Sequence, residues 1–327
     1  MNILVCGGAG YIGSNMVALL EQAGHTPVVY DNLSKGHKSA LRGARFVQGD
    51  LADYDLLVKT LKTETIEAVM HFAAFIEVGE SVHEPLRYYH NNVCNTHTVL
   101  SAMEAVGVNK FVFSSTAATY GMPEQVPIAE TFTKRPINPY GETKWASERM
   151  CHWQAEAGKL RYAALRYFNA CGAGQNATLG EDHRPESHLI PLIIQAAMGQ
   201  RKDIKIFGTD YDTIDGTCIR DYIHIEDLCR AHLLALNHLD SKSELVYNLG
   251  NGSDYSVRQV IDTVRQVSGE EFKVTEVERR PGDPAILTAN ATKARQELGW
   301  ETQYPELETI VATAWKFHTA HPDGYAD

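Results

Sequence analysis

The chain has 327 residues, 44% of them hydrophobic and 22% charged, and a formal net charge of −11. That length exceeds one typical core and predicts one large or two closely associated domains, while the acidic balance excludes nucleic acid or an anionic membrane surface as a partner, since both need a basic face. The six cysteines (Cys6, Cys94, Cys151, Cys171, Cys218, Cys229) form no C-x-x-C pair and read as reduced, mostly buried thiols with no metal site; no charged leader and no run of about 18 apolar residues appears, so a cytoplasmic protein is expected.

Residues 2–6 make a short apolar run suited to a buried parallel strand, and residues 12–22 place Ile12, Met16, Leu19 and Leu20 at helical spacing. Between them lies Gly7-Gly8-Ala9-Gly10-Tyr11-Ile12-Gly13. Glycine at such a turn permits a sharp bend, close approach of the backbone to a pyrophosphate, and tight helix-on-strand packing, with the helix N-terminus facing the phosphates. Two frames fit, Gly8-x-Gly10-x-x-Gly13 and Gly7-x-x-Gly10-x-x-Gly13. The next strand, 26–30, ends in Asp31, 31 minus 13 or 18 residues past the last glycine, near the spacing of a carboxylate that holds a ribose 2′-hydroxyl. NAD is therefore expected over NADP: no arginine directly follows Asp31, although Lys35 and Lys38 are near.

Residues 32–41 read as a loop and 44–48 as a third strand leading to Asp50 and Leu51. Asp50 either meets the cofactor or caps a helix over 54–61. The fourth strand, 66–74, closes on His71-Phe72-Ala73-Ala74, small enough at its end for a dinucleotide to lie against the backbone, and a long helix spans 85–107. The fifth strand, 110–116, ends in Ser114-Ser115-Thr116; hydroxyls there sit where open α/β sheets bind ligands, or else cap the next turn.

Tyr140-Gly141-Glu142-Thr143-Lys144 then opens a helix continued by Ala146, Met150 and Trp153. Tyr and Lys four apart share a face, which predicts the ammonium beside the phenol. Bringing a phenol pKa down by roughly three units takes about 4 kcal/mol, which a fixed cation and a cationic nicotinamide ring supply together. In company with the glycine turn, Asp31 and the hydroxyl-ended strand, the pair reads as catalytic.

A sixth strand, 162–168, ends at Asn169, where the strand–helix alternation breaks down and a domain boundary is expected. The fold class is α/β: a doubly wound parallel sheet over residues 1–170 with a smaller mixed α/β substrate-binding domain over 171–327, of which about 213–235 returns to the first. The second part holds helices at 189–199, 228–239 and 257–267, strands at 204–207, 246–250 and 272–277, the segment 219–225, and Arg279-Arg280-Pro281-Gly282-Asp283-Pro284. Arg220 and Arg280 each either clamp a phosphate or pair with Asp221 or Asp283.

With Asp31-Asn32-Leu33-Ser34, His71-Phe72-Ala73-Ala74, Asn91-Asn92-Val93, Phe113-Ser114-Ser115-Thr116, Pro139-Tyr140-Gly141, Leu165-Arg166-Tyr167-Phe168-Asn169, Arg220-Asp221-Tyr222-Ile223-His224 and His321-Pro322-Asp323-Gly324-Tyr325 in view, the chain resembles the extended short-chain dehydrogenase/reductase family, in its UDP-sugar 4-epimerase branch, over essentially its whole length. The resemblance implies a Rossmann fold in which Gly7, Gly10, Tyr11, Ile12, Gly13, Asp31, Asn32, Asp50, Leu51, Phe72, Ala73, Ala74, Asn91, Ser114, Tyr140, Lys144 and Phe168 bind NAD. It implies that Thr116, Asn169, His188, Leu189, Phe207, Arg220, Arg280, Asp283 and Leu287 hold a UDP-sugar. By the same resemblance Tyr140 is the base, Thr116 bonds the same sugar oxygen, Lys144 lowers the phenol pKa, and hexose C4 is inverted through a transient 4-keto sugar. Ala117 and Ala118 follow Thr116 where related dehydratases carry an acid, which favours simple epimerisation, and retention of the Tyr–Lys pair disfavours a non-catalytic NAD-binding regulator.

Three residues depart from the family pattern: Ile76 stands where many members have a Lys near the cofactor, His188 where many have an Asn, and Leu287 where side-chain size gates the sugar's C2 substituent, leaving N-acetylated or pentose substrates open. A homodimer through helices near 85–107 and 143–158 is implied, with Val99, Met103, Trp145 and Trp153 either on its face or packed within the monomer.

Overall fold

The computed structural model describes residues 1–174, 176–280 and 282–327. Strands β1 (Asn2–Cys6), β2 (Thr26–Asp31), β3 (Arg45–Gln48), β4 (Ala68–His71), β5 (Lys110–Thr116) and β6 (Arg161–Tyr167) alternate with helices. They are followed by β7 (Asn169–Cys171), β8 (Ile204–Phe207), β9 (Ile219–His224), β10 (Glu244–Leu249), β11 (Asp254–Ser256), β12 (Val274–Val277) and β13 (Ile286–Leu287). Seven of these form one sheet in the order β10-β6-β5-β4-β1-β2-β3, every pair parallel. Residues Ile3 to Cys6 and Ala68 to Met70 are fully buried, as expected of parallel strands covered on both faces.

One face packs Met16 and Leu20 of the helix Tyr11–Gln22 with Leu228, Ala231 and Ala235 of the helix Ile225–His238. The other packs Leu57 and Leu61 of the helix Tyr54–Thr63 with Val99 and Met103 of the helix Asn95–Val106. Strand order reverses between β1 and β4, so the crevice of this doubly wound sheet opens at their carboxyl ends. A third core, including Ile193, Ile206, Val260 and Val311, lies under the small sheets: β9 there pairs with β7, β11 and β13, and β8 with β12.

Several elements differ from the sequence expectation. Strand β4 stops at His71 because the N–H groups of Phe72 and Ala73 both turn to the Cys6 carbonyl. The predicted single helix over 85–107 is Pro85–Tyr88, a π-helical turn Tyr89–Cys94, and Asn95–Val106, ended by Gly107 at φ +78°. Asp53, not Asp50, caps the helix Tyr54–Thr63 by accepting from the Leu56 N–H. Residues 219–224 belong to the small sheet, while the helix Ile225–His238 and β10 lie on the large one. Val99 and Met103 are buried within the monomer. The cysteines are free, and all but Cys94 are buried. No helix among the described residues is long and apolar enough to cross a membrane.

Candidate active site

Strand register brings the first site residues to one level. Cys6 pairs with His71 and His71 with Phe113, so Gly7, Phe72 and Ser114 each follow the same row at the carboxyl edge. Gly7 makes the turn at φ +81°, and a Cβ there would lie 2.5 Å from the Ala73 nitrogen. A Cβ on Gly13 would lie 2.1 Å from the Gly7 carbonyl oxygen, which is why helix and strand need glycine at both places. Gly10 differs: its missing Cβ would touch only that same oxygen, at 3.4 Å, and otherwise faces open space. Gly10 is also the N-cap of the helix Tyr11–Gln22 and offers no side-chain cap, so the first N–H groups of that helix face the opening. A dinucleotide pyrophosphate fits this cradle, in the frame that begins at Gly7.

Asp31 closes the cradle's far side, its Oδ2 accepting from the Ala9 N–H at 3.0 Å and its Oδ1 from the Leu33 N–H at 2.8 Å. Burial raises its carboxyl pKa, and those two N–H groups oppose the rise. Asn32 donates to Asp50 Oδ2 at 2.8 Å, which joins two of the residues expected to contact the cofactor. Leu51 is buried below them, and Phe72 tilts against His232 with ring centroids 5.1 Å apart. Across the crevice the π turn presents Asn91 and Asn92. Asn91 donates to Asn92 Oδ1 at 3.0 Å, and Asn92 in turn accepts from Phe75 N–H and donates to the Phe75 carbonyl and to Thr143 Oγ1. Asn92 thus ties the loop after β4 to the helix Pro139–Glu156; its role was not legible from sequence because it depends on that π turn.

Thr116 ends β5 and takes up the capping alternative. Its hydroxyl oxygen accepts from the Ala118 N–H at 3.2 Å, capping the next turn, and the same hydroxyl acts on the phenol of Tyr140. The helix carrying Tyr140 starts where Asn138 accepts from the Gly141 N–H and Pro139 takes the first position. Burial pushes the Tyr140 phenol up in pKa, the Thr116 hydroxyl working against the rise and the Glu77 charge with it. The Lys144 ammonium donates to the Ser114 carbonyl at 2.9 Å and lies 5.0 Å from the Phe113 ring centroid. Burial pulls its pKa down to about 7, with Glu148 pulling upward. Burial thus works against the charged form of both groups.

Behind this pair, and missed by sequence reasoning, Arg166 donates from Nε to Glu148 Oε1 at 2.9 Å and from Nη1 to Tyr120 at 2.8 Å. Ser115 also donates to Glu148, and Ser114 is bonded to Tyr167. Phe168 links β6 to β7 and is half-buried, as are Ala73 and Ala74.

The predicted substrate side comes from the small sheets. Asn169 donates to the Asp221 carbonyl at 2.8 Å. Arg220 pairs loosely with Asp283 at 3.4 Å and donates to the carbonyls of Ile219 and Pro284. Asp221, its other candidate partner, instead accepts from the Asn251 and Ala289 N–H groups. Arg280 stacks its guanidinium 3.7 Å above the Phe207 ring. Leu287 pairs with Arg220 in register. His188 precedes the helix Leu189–Ala197, with its Nδ1 2.6 Å from Glu181 Oε1 and 3.4 Å from Glu186 Oε1. Burial works against charge there, yet the two carboxylates outweigh it, raising His188 well above its usual range and His183 to about 9.

The sequence profile of the NAD dependent epimerase/dehydratase family matches residues 3–250. The chain is 54% identical to the UDP-glucose 4-epimerase of Halalkalibacterium halodurans, over 100% of this chain and 98% of that one. A crystal structure of a UDP-glucose 4-epimerase superposes with a TM-score of 0.98 at 50% identity, covering 100% of both chains. The UDP-glucose 4-epimerase of Brucella ovis in complex with NAD superposes with a TM-score of 0.94 at 48% identity, covering 97% of this chain and 98% of that one.

Proposed function

The chain belongs to the NAD dependent epimerase/dehydratase family, and from that premise we propose that it interconverts UDP-glucose and UDP-galactose by inverting carbon 4 of the hexose. It is an NAD-dependent isomerase. The observation that carries the reading is the contact of Thr116 with Tyr140, at the same edge of the sheet as the glycine cradle: a base and a hydroxyl partner for one sugar oxygen beside a dinucleotide seat.

In this reading Gly7, Gly10, Gly13 and the N-terminus of the helix Tyr11–Gln22 hold the pyrophosphate, Asp31 an adenosine ribose hydroxyl, and Asn32 with Asp50 the base edge. Lys144, turned toward Ser114, binds the nicotinamide ribose. Held there, NAD would supply reversible hydride chemistry at the sugar's carbon 4, with no net redox change. Tyr140 takes the proton from the 4-hydroxyl and gives it back after inversion, and Thr116 steadies that oxygen throughout. Arg220 and Arg280 clamp the UDP diphosphate, Phe207 and Asp283 set their orientation, and Asn169, His188, Leu189 and Leu287 line the sugar nucleotide.

We assign cofactor binding to residues 1–170 and sugar-nucleotide binding to 171–327, with the helix Ile225–His238 and β10 packed back on the large sheet. We further place the enzyme in the cytoplasm as a homodimer, joined through the exposed Val82, Leu86 and Trp153. The test is UDP-glucose deuterated at C4: the reading requires the label to stay on C4 of the UDP-galactose formed. Label washed out to solvent refutes hydride return.

A further inference from the structure

Glu181, His183, Glu186 and His188 bring one ligand atom each into a cluster whose atoms all lie within 4.8 Å of one another. His183 Nδ1 is 3.2 Å from Glu181 Oε1 and 3.6 Å from Glu186 Oε1, and His188 Nδ1 is 2.6 Å and 3.4 Å from the same two oxygens. Both ring nitrogens are shut off from solvent, and neither is aligned with an oxygen as a hydrogen-bond donor. Close but unaligned N and O atoms suit a common point between them. Ligands at about 2.0–2.1 Å from a tetrahedral zinc lie roughly 3.3 Å apart, and the observed separations bracket that value.

We propose that Glu181, His183, Glu186 and His188 form a zinc site. Two imidazoles with two carboxylates are a donor set suited to zinc, and two carboxylates around a divalent cation with neutral imidazoles leave no net charge to bury. The carboxylates are enclosed, with side chains 5% and 4% exposed. Glu186 Oε1 is further held by the N–H groups of Ser187 and His188 at 2.7 and 2.8 Å, an outer shell that fixes its direction. The site departs from the expectation of no metal, which followed from the scattered cysteines; no cysteine takes part.

The metal is structural. It pins residues 181–188 where Ser187 donates to Glu77 at 2.9 Å and where Leu189 starts the next helix, so it fixes the wall of the cleft and stands apart from the reacting atoms.

The test uses the full-length protein with its cofactor retained. Metal content is measured after dialysis in zinc-free buffer, and Zn²⁺ alone is then titrated against a chromophoric chelator. One zinc per chain is expected, with His183→Gln and Glu181→Gln each binding at least about 10-fold more weakly while keeping the wild-type circular dichroism spectrum. Anomalous scattering at the zinc edge, from wild-type crystals soaked in zinc, should peak among the four side chains, and this readout decides if a variant does not fold. No bound zinc, variants that bind as wild type does, or an anomalous peak elsewhere overturns the proposal and leaves the cluster as a proton-sharing ion-pair network.

Discussion

Arg166 on β6 forks onto Glu148 of the helix that carries Tyr140 and Lys144, and both side chains are only 3% exposed. Through Ser115 and Tyr120 the same network reaches the end of β5. It therefore fixes the distance between the helix bearing the base and the strand bearing Thr116. Glu148→Gln leaves a buried guanidinium without its counter-charge, which costs about 3–5 kcal/mol. Chemical denaturation should report that loss, and kcat should fall with it as Tyr140 shifts from Thr116.

Tyr140→Phe removes the proton acceptor and leaves the glycine cradle intact. The expected result is a fall in kcat of about 10²–10⁴-fold with bound nucleotide retained, measured by steady-state kinetics and by release of cofactor from the purified variant. The base works only when deprotonated, and burial pushes its pKa up. Wild-type kcat/KM should therefore rise with pH across the acid and neutral range, and the rise should disappear in Tyr140→Phe.

Lys144 is held in place at a cost in stability. Its folded pKa of about 7 lies below the ordinary lysine value of 10.5, so between those limits the unfolded chain binds more protons and stability increases with pH. Below about pH 7 the buried charge is carried in full. In cofactor-free protein Lys144→Met should thus be more stable than wild type at pH 6, and the advantage should shrink by roughly 3 kcal/mol by pH 9. Thermal unfolding at the two pH values checks the sign; the same variant should lose cofactor affinity.

Much of the cofactor half was readable because its signals are local: the glycine turn, the β2 carboxylate at Asp31, the hydroxyls after β5 and the Tyr140–Lys144 spacing all lie within single strand–helix units. What depended on distant pairing was not. Periodicity gives no sign that Glu244–Leu249 adds to the edge of the large sheet beside β6, nor that Arg166 would meet Glu148. Asp50 and Asp53 are both good caps, and only the Leu56 N–H bond separates them. Lys144 shares a helix face with Tyr140, and that its long stem lets the ammonium reach the Ser114 carbonyl depends on how helix and strand pack. The Glu181–His188 cluster was hidden because a loop has no period to read.

Leu287 pairs with Arg220 in the small sheet and, at the family position that gates the sugar's C2 substituent, is smaller than the Tyr that excludes an N-acetyl group. UDP-N-acetylglucosamine should therefore be turned over by the wild type, and Leu287→Tyr should lower kcat/KM for it at least about 10-fold relative to UDP-glucose. Competition of the two substrates in one reaction measures the ratio directly.

The central claim is tested most directly by incubating protein purified without added nucleotide with UDP-galactose alone, resolving the products and identifying any nucleotide released on denaturation. The account predicts that UDP-glucose forms from UDP-galactose until a fixed equilibrium ratio is reached, with NAD released from the denatured protein. A keto sugar that accumulates, or no conversion in protein shown to contain NAD, would contradict it.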